Sequence, residues 1–115
     1  MKLVDSRSGR VLNAGIRRAI MPWTRTIGYL SRREVGIDEG LWFDRCSAIH
    51  TLGMRARIDV LFFDADGCIV GIEAPAATNR AVLRAPNAHA VLECGAGFVA
   101  ASGVSIGDRL TLVGP

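Results

Sequence analysis

The clearest alternation of apolar and polar positions begins at Ile58. In IDVLFF, Asp59, Leu61 and Phe63 fall on one side of an extended chain, and Val60 and Phe62 on the other. Four of those five are apolar, so the pattern predicts a strand covered on both faces. The turn composition of DADG follows, and CIVGIEA returns as a partner strand, making 58–74 the best-defined unit. AHAVLEC predicts another strand, AGFVAASG about two helical turns stopped by Gly103, and GDRLTLV a closing strand after the turn IGD.

The first half is less regular. Lys2–Val4 and Val11–Ala14 flank the turn DSRSG as a hairpin, with Arg17–Met21 as a third short strand. Trp23, Ile27 and Leu30 stand at i, i+4 and i+7, which predicts a main helix over 24–33 with Gly28 as its weak point. Ser31 and Glu34 have the spacing of a capping box, predicting a second short turn. VGIDEG is a loop and LWFD a short strand. Pro75–Pro86, alanine-rich and bounded by prolines, is an extended or irregular excursion, and a loop this long is often functional. The count is six to eight short strands. The fold class is therefore a β-rich single domain over 1–115, mainly β or α+β, with one main helix and a second short one.

Composition narrows the function classes. Half of the 115 residues are hydrophobic and 22% are charged, the balance of a packed soluble domain. Cys46, Cys68 and Cys94 are odd in number and lack metal-ligand spacing, so reduced thiols in a cytoplasmic chain are expected. MKLVDSRSGR lacks a signal peptide's apolar segment, and no run is long enough for a membrane helix. The net charge of +3 is uneven: residues 1–57 hold eleven Lys or Arg against five acids, and 58–115 hold three against six. The arginines are spread over separate elements with little aromatic interleaving, which disfavours specific nucleic-acid binding. No P-loop or dinucleotide pattern is present, and the Asp64–Asp66 turn is too short for a calcium-binding loop. Trp23, Trp42 and Phe43 have the phasing of core positions.

The polar residues before the apolar strand raise the question of chemistry. His50, Thr51, Met54, Arg55 and Asp59 lie just before it or at its start. If they converge, Arg55 holds an anion while His50 and Thr51 direct hydrogen bonds to it. The structural alternative has Asp59 accepting from Arg55 or backbone amides to brace a tight crossover. Cys46, His50, His89 and Cys94 are potential metal donors with unsuitable spacing, so no metal and no cofactor are expected.

Three segments together, TRTIGYLSRREVGIDEGLWF, IHTLGMRARIDVLFFDADGCIVGI and AVLECGAGFVAASGVSIGDRL, resemble the bacterial and archaeal family called domain of unknown function 192. The matching positions are Gly28, Leu30 and Arg32; Glu39, Gly40 and Phe43; His50, Thr51, Met54, Arg55 and Asp59, with Phe62 or Phe63 beyond; and Glu93, Gly97, Gly107 and Asp108. Tyr29 and Leu30 depart from the more usual Leu-Met, a His-Thr-x-Gly-Met-Arg form replaces the common Trp-Met-Lys-Asn-Thr run, and Arg57 stands where proline often occurs. The resemblance, with a core at about 24–113, implies a jelly-roll-like β-sandwich or distorted barrel with a flanking helix. It also implies a glutamate, Glu93, directed toward the pocket of His50.

Three functions remain open. One is a non-enzymatic domain, monomer or weak homodimer, binding a small polar or anionic ligand or a protein partner through His50–Asp59 and the Pro75–Pro86 loop. Another is a hydrolase or transferase with His50 as base, Glu93 orienting it, and Thr51 or Arg55 stabilising oxyanion charge. The last is a scaffold in which the polar patch is fully buried.

Overall fold

A run of alternating apolar residues is stable as a strand only where both of its faces find cover, and the centre of this molecule is built that way. The computed structural model describes residues 1–20 and 28–114. Its strands are β1 (Lys2–Asp5), β2 (Val11–Asn13), β3 (Ile16–Arg18), β4 (Gly40–Asp44), β5 (Ala48–Ile49), β6 (Ile58–Phe63), β7 (Ile69–Glu73), β8 (Leu83–Arg84), β9 (Ala90–Gly95) and β10 (Leu110–Val113), with helix α1 (Phe98–Ser102) before β10. They form a five-stranded sheet in the order β3-β4-β9-β6-β7, a three-stranded sheet β10-β1-β2, and a two-stranded ribbon β5-β8. Only β3 and β4 run parallel, with Ile16 opposite Gly40.

The central sheet divides the core in two. Trp42, Leu61, Phe63, Ile69, Leu92 and Cys94 face Leu3, Leu110 and Phe98, on the side of the three-stranded sheet and α1. Leu41, Phe43, Val60, Phe62 and Val91 face the other way, toward Tyr29, Ala56 and Leu83. All six residues of β6 are buried, as are all six of β9. The double cover expected for IDVLFF is therefore present, and the chain is mainly β. The described strands do not close into a barrel, so the layered alternative holds.

Several expected boundaries move. The ten described strands exceed the expected six to eight because β5 and β8, two residues each, are too short to leave a periodic signal; β8 also means that 75–86 is not wholly irregular. Of the helix expected over 24–33, residues 24–27 lie outside the described residues, as does Met21 of the expected third strand. Gly28–Ser31 form a turn, with Gly28 at φ +55°, a left-handed conformation that breaks a right-handed helix. No helix follows the Ser31–Glu34 pair either. Glu39 instead organises that segment, accepting from the Gly36 N–H at 2.8 Å and pairing with Arg32 at 3.0 Å. The expected two helical turns after β9 shorten to the five residues of α1, closed by Gly103 at φ +73°.

Candidate functional site

Strand parity places Glu93 on the second face of the central sheet. It sits in β9 opposite Leu41 of β4 and Val60 of β6, and Phe43 shares that face two residues along β4. The β5-β8 ribbon passes over this face and leaves a cavity of about 380 Å³. Phe43, Ile49, Ala81 and Val82 supply apolar wall, while Cys46, His50, Arg84 and Glu93 supply the polar groups.

Glu93 is the unusual member. Its side chain is buried, at 3% exposure, and among the described residues Oε1 has no hydrogen-bond partner. Burial pushes its carboxyl up to about 7, and the Tyr29 backbone N–H, which donates to the carboxylate, opposes the rise only in part. Gly28 makes room for this group: a Cβ there would lie 2.9 Å from Oε1. Tyr29 beside it is also buried, and its hydroxyl is pushed up to about 12, first by burial and then by the charge of Glu39. Buried acceptors are nearly always satisfied, so an orphan carboxylate oxygen on a cavity wall marks a place for a donor.

The expected polar cluster does not assemble as one site. His50 joins Glu93 at the cavity, and the Pro75–Pro86 loop contributes Ala81, Val82 and Arg84. Thr51 is buried, and its hydroxyl is fully used: it donates to the Ala77 carbonyl at 2.7 Å and accepts from the Arg80 N–H at 2.9 Å. Met54 packs into the core of the second face. Asp59 points through the opposite face of β6, where Oδ2 accepts from the Gly97 N–H at 3.2 Å and the Val99 N–H at 2.9 Å. It thus caps α1 from a neighbouring strand, since Gly97 has no side chain to do so. Arg55 is exposed and lines a different concavity. The side-chain partners of Asp59 are thus backbone amides and not Arg55.

Phe43, Cys46 and Ile49 are not among the ligand-binding residues read from sequence, whereas Val82 and Arg84 belong to the Pro75–Pro86 loop read there as part of the binding face. Phe43 follows from Glu93 once the β4–β9 register is known; the ribbon residues carry no local signal. Cys46 Sγ–H donates to the Ala48 carbonyl at 3.1 Å, so its proton is already engaged. Cys94, on the far face, is pushed well up by burial and then by the charges of Asp59 and Glu93, the setting of an inert thiol. Among the described residues no three His, Cys, Asp or Glu side chains come together as a metal site, and all three cysteines are unbridged.

The family model for domain of unknown function 192, described as "Uncharacterized ACR", matches residues 4–112. A solved structure of a protein of unknown function from Novosphingobium aromaticivorans superposes with a TM-score of 0.79 at 24% identity, covering 96% of this chain and 82% of that one. A second, from Sinorhizobium meliloti and described as a "putative transcription regulator", gives a TM-score of 0.78 at 32% identity, covering 96% and 89%. The first likeness carries the fold alone. No curated protein matches the chain.

Proposed function

The chain belongs to the family called domain of unknown function 192, and from that footing we propose that it is a non-enzymatic domain binding a small polar molecule in the cavity of His50 and Glu93. The observation that carries the proposal is Oε1 of Glu93, buried beside that cavity and without a hydrogen-bond partner among the described residues. An unsatisfied buried acceptor is worth about 1–3 kcal/mol to whatever donor reaches it. The ligand therefore presents an amine or hydroxyl to Glu93 and lays an apolar body against Phe43, Ile49 and Val82. His50 adds a second polar contact, and Arg84 supplies one for an anionic or carbonyl group. The size suits a metabolite, since such cavities begin at about 300 Å³.

A hydrolase or transferase scheme loses two of its parts. Thr51 is committed to the 77–80 backbone and Arg55 lies elsewhere, so neither stands ready to stabilise an oxyanion beside His50. The regulatory description of the Sinorhizobium meliloti protein fits a domain that senses a small molecule.

A fragment screen followed by amide NMR shifts tests the proposal, using small primary amines and alcohols beside their methyl-capped counterparts. Donor-bearing fragments are expected to shift Ile49, His50, Val82 and Glu93, and to weaken about tenfold or more in Glu93→Leu. Equal binding of capped fragments, or hits mapping elsewhere, would refute it. Chemical turnover of a fragment would move the assignment to the enzymatic scheme.

A further inference from the structure

A second concavity, of about 510 Å³, opens where loop 33–36 meets loop 55–57, with Ala96 between them. Among the described residues it shares no lining residue with the cavity of His50 and Glu93. Arg33 stands on one wall and Arg55 and Arg57 on the other, against the single carboxylate of Glu34. All three arginines are exposed, and among the described residues none is engaged by a carboxylate.

The walls are fixed by backbone. The Gly95 N–H donates to the Gly36 carbonyl and the Ala96 N–H to the Arg57 carbonyl, each at 3.2 Å. Gly95 permits this approach because any Cβ there would collide with the Val35 carbonyl oxygen and the Gly36 backbone. The guanidiniums thus project from anchored positions around one hollow, an arrangement whose like charges are relieved by an anion.

We propose that this concavity binds a phosphate monoester carried on a small molecule. Guanidinium forks match phosphate oxygens with paired, charge-assisted hydrogen bonds, which three of them around one hollow supply from two sides. Among the described residues no aromatic side chain lines the hollow, so they offer no stacking platform for the bases of a single strand. Its concavity suits a compact ligand better than the face of an acidic protein.

Amide NMR titration at fixed ionic strength, with ribose 5-phosphate, inorganic phosphate and a short DNA duplex as probes, tests this. The sugar phosphate is expected to shift Gly36, Arg57 and Ala96 saturably, with inorganic phosphate weaker at the same amides. Replacing both Arg55→Gln and Arg57→Gln is expected to weaken binding about tenfold or more, while Lys2→Gln with Arg7→Gln, an equal loss of charge elsewhere, leaves it unchanged. The unliganded spectra of both variants report that they remain folded. Non-saturating shifts, or equal weakening by the two double variants, would overturn the site. Saturable duplex binding at these amides without sugar-phosphate binding would replace it with a nucleic-acid surface.

Discussion

Burial sets the proton affinity of Glu93, and with it a pH dependence of folding. In the unfolded chain this carboxyl releases its proton near 4.5, whereas in the fold it holds it to about 7. Between those values the folded state binds more protons, so raising the pH favours unfolding. The penalty accumulates from about pH 4.5 to 7, reaches about 3 kcal/mol, and then stays constant. Glu93→Gln removes the ionisation, so its stability relative to the wild type should rise by about that amount between pH 4.5 and 8. Urea unfolding across that range checks it, and parallel curves for the two proteins would contradict it. Asp59, also buried, accepts from two amide donors, which makes it useful to the fold. Asp59→Ala strands both N–H groups at the start of α1 and should destabilise by about 2–3 kcal/mol. Ligand binding by the refolded variant should survive, because Asp59 and Glu93 face opposite sides of the sheet. Thermal unfolding and fragment titration of the same sample measure both.

At the scale of elements, the roof of the cavity depends on Thr51. The ribbon holds its pairing through two residues a side, Ala48 opposite Arg84 and Ile49 opposite Leu83. Just beyond it, Thr51 ties down 77–80 by its hydroxyl and by its own N–H, which donates to the Arg80 carbonyl at 2.8 Å. Thr51→Val is expected to cost about 2 kcal/mol. Amide hydrogen exchange should speed up at 77–84 while β6 and β9 stay protected, and unchanged exchange at Arg80 would show that the hydroxyl is not the tie. Elements of this kind also mark the limit of what the sequence discloses. β6, β7, β9 and β10 are legible because four to six extended residues beside a turn leave a signal in the sequence. β5 and β8 leave none, and the described part of the helix expected over 24–33 begins as a turn because Gly28 adopts a left-handed conformation beside Glu93.

Across the whole molecule, the candidate site was half legible. His50 and Glu93 both line one cavity. Thr51, Arg55 and Asp59 disperse, because the direction of each depends on pairings between distant segments that no local pattern encodes. Asp59 and Glu93 are central-strand neighbours on β6 and β9, yet one residue of register between Val60 and Asp59 sends them to opposite faces. The result is a sheet with the Asp59 cap on one side and, on the other, a buried carboxylate whose Oε1 lacks a partner among the described residues.

Native mass spectrometry of the chain, purified gently from its own cells and compared with its denatured mass, tests most directly whether that carboxylate serves a ligand. The wild type is predicted to retain a small adduct that is lost on denaturation and is depleted in both His50→Ala and Glu93→Leu. A wild-type chain that emerges bare, or an adduct that Glu93→Leu retains in full, would contradict a ligand site at Glu93.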